Sequence, residues 1–365
     1  MLTRLYIDNF RCFVNFSYEP KTKQLLLGVN GSGKSSLLEV IRLLKEFLTG
    51  RDMPFTQSSR TRWQTRSLQV FEVEAVIAEE RFIYRVEIRY SSKSNTPFVS
   101  LEQLSVDASP VFALENGEMR SMLKGSEQTV FLRGDAAESS LHLATFSNPY
   151  VRRFMDWMNT VHCFKIDAYE GKMDELADAE DIYPDFELEN LAGWYRHLLE
   201  VDPDGNDAFR ASMKEVLHGF LNLRFSTEED GVRKLRADFI SPVEGRLTIS
   251  LRELSDGQRY LIALYMILHF LIARGHTVFI DEPDNFVSLR EIQPWLLEAE
   301  HEVQESKSQL ILISHHPEIL NYWAKEFGLM FFREENGHVR TVPYGKAADS
   351  GLEPAETIAR GWEHE

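Results

Sequence analysis

Leu2, Arg4, Tyr6 and Asp8 alternate with Thr3, Leu5, Ile7 and Asn9, the period of two that predicts a strand. A second strand is predicted over Gln24–Leu27, running directly into Gly28. From Ser35 the apolar positions Leu37, Leu38, Ile41, Leu44 and Leu48 return at helical spacing, and Gly50 stands where a helix should stop. Strand-like runs at 68–77, 81–90 and 99–106, parted by turn residues, predict an antiparallel sheet. Helical patterns at 149–161 and 208–220 mark a mixed middle. The last third changes rhythm: a helix begins after Ser255, a strand covers 277–281, a helix covers about 289–302, and a strand covers 309–314. Strands separated by helices predict a parallel sheet, whose ligands sit beyond the carboxyl ends of the strands. Chemistry is therefore expected at Asp281 and Ser314. The expected fold class is α/β, with a mixed or parallel central sheet, an additional antiparallel sheet and a helical insertion. As a single domain over 1–365, it divides into an N-terminal lobe (1–140), a mainly helical insertion (141–235), a C-terminal lobe (236–345) and a tail (346–365).

Charge changes this picture locally. With 57 acidic against 40 basic residues and a formal charge of -17, the surface as a whole repels phosphate, so nucleic acid could be held only by a local patch. The candidate is 51–66, where Arg51, Arg60, Arg62 and Arg66 face one acid, Asp52, with Phe55 and Trp63 between them. The opposite extreme is 167–190, with ten acids and one base (Lys172), which reads as a solvated or partner-facing segment. Two cysteines, Cys12 and Cys163, exclude a disulfide framework and fit a reducing compartment. The N-terminus lacks a basic stretch followed by an apolar one, so no secretory signal is expected. The longest uncharged stretch, Tyr260 to Ala273, has 14 residues; a bilayer needs roughly 20, so a buried helix and a cytoplasmic chain are expected.

Four motifs carry candidate chemistry. Gly28-Val-Asn-Gly-Ser-Gly-Lys-Ser35 fits G-x-x-x-x-G-K-[ST] at every fixed position and lies between a predicted strand and a predicted helix. Glycines let backbone N–H groups at Asn30, Gly31, Ser32 and Gly33 curl around phosphates, and a helix N-terminus through Ser36 adds partial positive charge. Lys34 would reach the β and γ phosphates, and the Ser35 hydroxyl would ligate Mg²⁺. Thr277-Val-Phe-Ile-Asp-Glu-Pro-Asp284 is an apolar strand ending in carboxylates: Asp281 to hold the metal, Glu282 to activate water. Leu254-Ser-Asp-Gly-Gln-Arg259 reads as a capping box of Ser255 and Gln258, and the same geometry, with an unhindered Gly257 N–H, can receive a phosphate. His315 follows an apolar strand in Ser314-His-His-Pro317.

In this order and spacing the motifs resemble an ABC-type ATPase head over nearly the whole chain. Tyr6-Ile-Asp-Asn-Phe-Arg11, the Asp-Glu-Pro ending and Ser-His-His-Pro are most similar to the soluble RecF, SMC and OLD group of AAA/ABC ATPases, many of which work in DNA maintenance or antiphage defence. The resemblance implies a P-loop ATPase binding ATP and Mg²⁺, with Ser255, Gly257 and Gln258 contacting ATP bound by a second copy. It makes His315 the residue that senses the γ-phosphate and places Arg11 near the phosphates. The stretch Pro-Asp-Asn-Phe-Val-Ser-Leu289 departs from the family's usual Ser-Ala-Leu-Asp, and the glutamine that links the lobes could be Gln57, Gln64, Gln69 or Gln103.

The 221 residues from Lys34 to Ser255 are too few and too irregular for a long coiled coil. The 50 after His315 leave little room for a nuclease domain, so an effector is expected as a separate nuclease or toxin. The expected function is an ATPase whose ATP-sandwiched self-association controls that effector, in antiphage defence. The alternative is a RecF-like repair ATPase using 51–66 on DNA. A transporter subunit fits less well.

Overall fold

The computed structural model describes every residue except 51, 92–93, 116, 123–128, 133–137, 170–171, 228–231, 244, 346–352 and 360–365. The chain divides into two compact units: Met1–His162 with Glu326–Ala348, and Cys163–Lys325 with Asp349–Glu365.

In the first unit the elements are β1 (Leu2–Asp8), β2 (Phe16–Tyr18), β3 (Lys23–Leu27), α1 (Lys34–Thr49), β4 (Leu68–Ile77), β5 (Glu80–Tyr90), β6 (Pro97–Val106), β7 (Ser109–Glu115), β8 (Glu118–Ser121) and β9 (Thr129–Leu132). The antiparallel sheet runs β2-β1-β4-β5-β6-β7-β8-β9. Its register is set by tight turns. Ala78 and Glu79, at φ 49 and 70, join β4 to β5 so that Ile77 opposes Glu80, because positive φ at both turn residues matches the twist of the strands. Apolar positions of alternating strands point to one core: Phe55 stacks on Phe71 at 4.7 Å, and Phe71 meets Phe10 edge-on at 5.8 Å. α1 buries Leu37, Leu38, Ile41, Leu44 and Leu48, the predicted stripe, and Gly50 closes it with its N–H on the Glu46 carbonyl. The strand β3 pairs in parallel with Gly328–Arg333, which pairs antiparallel with Val339–Pro343.

The second unit holds a parallel pair, Thr277–Asp281 with Gln309–Ile313, buried at all ten positions. Helix Asp256–Phe270 of the same unit is buried from Arg259 onward. A helix apolar on every face belongs inside a protein, and this is the uncharged stretch of the sequence. No helix among the described residues is long and apolar enough to cross a membrane. An antiparallel sheet of Leu176–Ala177, Arg233–Ser241, Phe220–Thr227 and Gly245–Ser250 completes the unit.

Two expectations need correction in detail. The helix expected over 208–220 spans Pro203–Val216: Asp202 caps it by accepting the Gly205 N–H at 2.9 Å, Pro203 supplies the first position, and Phe220 already starts a strand. The acidic segment is also less solvated than its charge suggests. Its acids cap turns, Asp185 accepting the N–H groups of Glu187, Glu189 and Asn190, and Glu175 is buried against Lys234 at 2.7 Å. Ala168, Met173 and Leu188 are core residues. Within the expected tail, 346–352 and 360–365 lie outside the described residues, while Pro354–Ala359 is helical and its Ala355 N–H donates to Asn321 at 2.9 Å.

Candidate functional site

The first unit presents the glycine loop. It leaves β3 at Leu27 and enters α1 at Lys34. Gly28 has φ 133, and a Cβ there would fall 2.2 Å from the Phe331 carbonyl oxygen, so no other residue fits the strand-to-loop corner. Gly33 caps α1 in a left-handed conformation, with no side-chain hydrogen bond to the helix start. The Lys34 ammonium is folded over the loop and donates to the carbonyls of Gly28 and Val29. Ser32 is 1% exposed, yet its hydroxyl has no hydrogen-bond partner. A buried hydroxyl costs free energy until an acceptor meets it, so this cradle fits an added oxygen ligand such as a phosphate. Asn30 and Gly31 are exposed at its rim. Ser35 and Ser36 lie in the first turn of α1.

Arg11 occupies a tight turn at φ 47, its N–H donating to the Ser59 carbonyl at 2.7 Å and its guanidinium 3.5 Å from Glu39 of α1. Of the candidate linking glutamines, Gln69 is consumed in the core, donating to the Asn9 carbonyl at 2.9 Å and accepting from the Tyr90 hydroxyl at 2.5 Å. The basic loop is likewise partly committed. Arg60 lies over the Tyr90 ring and donates to the Arg66 carbonyl at 2.8 Å, and Arg66 pairs with Asp8 at 3.2 Å. Arg51 lies outside the described residues.

The second unit presents the carboxylates and the serine-led helix. Asp281 ends its strand buried; Glu282 turns the chain at φ 57, a conformation that costs a non-glycine residue about 1–2 kcal/mol. Four hydrogen bonds hold it, one of them from the Asn285 N–H to its carbonyl at 3.1 Å. Its N–H donates to the Ile313 carbonyl at 2.8 Å, its carbonyl accepts the Tyr260 hydroxyl at 2.6 Å, and its carboxylate accepts the Asn285 amide at 2.8 Å. Ser255 caps its helix in a reciprocal box with Gln258, as the sequence implied, and remains exposed. Gly257 is required: a Cβ there would lie 2.8 Å from the Phe286 carbonyl oxygen. His315 is exposed just past the Gln309–Ile313 strand. The adjoining Ser314 hydroxyl donates to Asp284 at 2.6 Å and accepts the His316 N–H at 2.9 Å, so the histidine step and the end of the Asp-Glu-Pro-Asp segment are fastened together.

Residues 4–183 match a family model described as an AAA domain, and residues 195–321 match one described as "AAA domain, putative AbiEii toxin, Type IV TA system". Among solved structures, the SMC head bound to the C-terminal winged-helix domain of ScpA superposes with a TM-score of 0.58 at 13% identity, covering 96% of this chain and 99% of that one. The SMC head with an extended coiled coil bound to the C-terminal domain of ScpA, from Pyrococcus furiosus, gives 0.55 at 12% identity, covering 99% and 98%. The chain carries AAA-domain matches over these two stretches and has the fold of an SMC head. No curated protein matches it in sequence.

Three residues of this head escaped the sequence reading. Arg259, 3% exposed, fans its guanidinium onto the carbonyls of Ala168 at 3.0 Å, Arg252 at 2.9 Å and Leu254, and pairs with Asp256. It thereby shapes the turn that presents Ser255. Tyr260 holds Glu282, and Asp284 holds Ser314. Arg259 and Tyr260 stand beside a recognised motif, but they act through backbone carbonyls, those of Ala168 and Glu282 far away in sequence, and no local pattern reports that.

Proposed function

We propose that this ATPase head binds and hydrolyses ATP with Mg²⁺, that two copies close over the nucleotide, and that closure controls a separate effector in an antiphage defence system of the cytoplasm. The observation that carries the ATP reading is the Gly28–Ser35 cradle, with its unpartnered buried Ser32 hydroxyl, its helix start without a side-chain cap and its lysine folded over the loop.

In this reading the backbone of Asn30, Gly31, Ser32 and Gly33 and the first turn through Ser36 grip the phosphates, Lys34 neutralises the β and γ oxygens, and Arg11 stands by. Ser35 and Asp281 would hold magnesium, which when bound offsets charge developing on the transferring phosphoryl group. Glu282 accepts a proton from the attacking water, and the hydrogen bonds that hold its backbone and carboxylate aim it in advance. His315 senses the γ-phosphate. Ser255, Gly257 and Gln258 of the second copy complete the grip, so ATP binds the closed pair better than the separate copies and shifts the population toward it.

The effector reading is supported by the description of the model matched by 195–321, which names a toxin of a toxin–antitoxin system. That both SMC-head structures carry a bound ScpA domain supports a partner protein in general terms. The DNA-repair reading rested on a free basic loop, and the internal use of Arg60 and Arg66 removes much of that footing.

The experiment is light scattering with and without Mg-ATP. Glu282→Gln should retain ATP and accumulate as a dimer, and Ser255→Arg should bind ATP but stay monomeric. Full turnover by Glu282→Gln would remove that residue from its role, and normal ATP-driven association of Ser255→Arg would end the sandwich reading.

A further inference from the structure

The antiparallel sheet of the second unit ends on a strand with one side open. Arg233–Ser241 is flanked on one side by Phe220–Thr227 and on the other by Leu176–Ala177 and, further along, by Gly245–Ser250. Among the described residues no strand pairs with the far side of Gly245–Ser250. A free edge presents unpaired backbone N–H and C=O groups, which bulges, prolines and charges commonly guard. Gly245–Ser250 keeps an unshifted register and has no proline, and its single charge is Arg246.

Both faces of the sheet run on past this last strand. On the apolar face Leu235, Ala237 and Phe239 are buried, yet Leu247, which stands opposite Phe239, is 44% exposed. In the turn beside it Val243 is 89% exposed. On the other face Arg224, Arg236 and Arg246 surround one carboxylate, the fully buried Asp238. Asp238 accepts from Arg224 at 2.8 Å and from the Thr248 hydroxyl at 2.6 Å, and Arg246 stands 3.8 Å away. Arg236 donates to the Ser226 hydroxyl, a neutral partner, at 2.7 Å. Glu175 is taken up by Lys234 at 2.7 Å, and Glu253 by the Ser250 N–H at 2.8 Å. Three guanidiniums around one carboxylate leave this face positive on a chain of formal charge -17.

Side chains alternate across a strand, so one added to this edge would set every second residue over Leu247 and Ile249 and the others beside Arg246 and toward Arg236. Apolar and acidic residues in alternation satisfy both faces at once. A second copy pairing its own Gly245–Ser250 here would gather the arginines of both copies on one face, where like charges repel. Nucleic acid would answer the arginines and leave the apolar row uncovered.

We infer that Gly245–Ser250 is a docking edge for a partner protein, which adds an extended segment of alternating acidic and apolar residues as the next strand. Nucleotide plays no part in this contact, so its test needs none.

The probe is a labelled synthetic peptide of alternating glutamate and valine, titrated into the 365-residue chain and followed by fluorescence anisotropy, with hydrogen exchange measured on the complex. The peptide should bind saturably and slow exchange at 245–250. Arg246→Glu, at an exposed position, should weaken it about tenfold, because an attractive cross-strand pair becomes a repulsive one. A peptide of alternating lysine and valine should not bind. Successive N–H groups of a strand point to opposite edges, so of two peptides N-methylated at every glutamate or at every valine, one should keep binding and the other lose it. Equal binding by those two, binding by the lysine peptide, unchanged exchange at 245–250, or no binding by the glutamate peptide would overturn the inference. So would an oligonucleotide that displaces the peptide without protecting 245–250, which would give the arginines to nucleic acid, or light scattering in which the peptide dissociates a dimer of the chain, which would give the edge to a second copy.

Discussion

Glu282 is the residue whose proposed role depends most on its backbone, and removing one hydroxyl tests that dependence. Its left-handed conformation is disfavoured by about 1–2 kcal/mol and is held by four hydrogen bonds. Tyr260→Phe deletes one of them and changes no shape. The Glu282 carbonyl keeps a second donor, the Asn285 N–H at 3.1 Å, so it is not left bare. The loss should therefore stay near the middle of the usual range for one hydrogen bond, about 1 kcal/mol. For a unit of this size that lowers the thermal midpoint by about 2–4 °C. A similar free energy shifts the local balance toward conformers that misdirect the carboxylate, about a fivefold effect. Because the carboxylate is assigned to the chemical step and not to binding, the loss should appear in kcat with KM unchanged. Steady-state phosphate release, run beside differential scanning calorimetry on Tyr260→Phe, reads both quantities. A destabilised variant with the kcat of the wild type would show that the hydroxyl serves folding alone, and a raised KM with intact kcat would place Glu282 in binding.

Gly28→Ala should abolish ADP binding and cost about 1–3 kcal/mol, since it combines a forbidden φ with a Cβ 2.2 Å from the Phe331 carbonyl; calorimetric binding equal to the wild type would refute the cradle geometry. Arg259→Lys keeps the charge but cannot reach several carbonyls at once, so the urea midpoint should fall by an equivalent of about 2 kcal/mol and ATP-driven association should be lost while ADP still binds; an unchanged midpoint would refute it. Burial pulls the His269 pKa down to about 4 from 6.5. Between those values the unfolded chain takes up a proton that the folded chain refuses, so stability should fall as pH drops through that window, by about 3 kcal/mol at most. Glu298, whose pKa burial raises, contributes the opposite slope and reduces the net effect. His269→Gln should remove the histidine's share, and urea denaturation across the window that shows the same slope in that variant would refute the assignment.

The elements that could be read from the sequence are those whose information is local. α1 carries its stripe, its start and its stop within Lys34–Gly50, and the β4–β5 hairpin carries its period of two up to a two-residue turn. The glycine loop is legible for the same reason, because Gly28, Gly31 and Gly33 all stand at positive φ, which glycine adopts most readily. The helix at 203–216 was misplaced because its cap is an aspartate followed by proline, in a segment whose apolar period is weak; the turn chemistry and not the stripe decides its start. The acidic segment misled in a different way. Ten acids predict solvent when counted, but half their work is done by geometry, on N–H groups of neighbouring turns and on Lys234 and Arg252, basic residues far along the chain. Its Ala168 carbonyl then receives the Arg259 guanidinium, which also gathers the turn before Ser255. A stretch that composition would assign to the solvent therefore braces the helix tip on which the proposed closure depends.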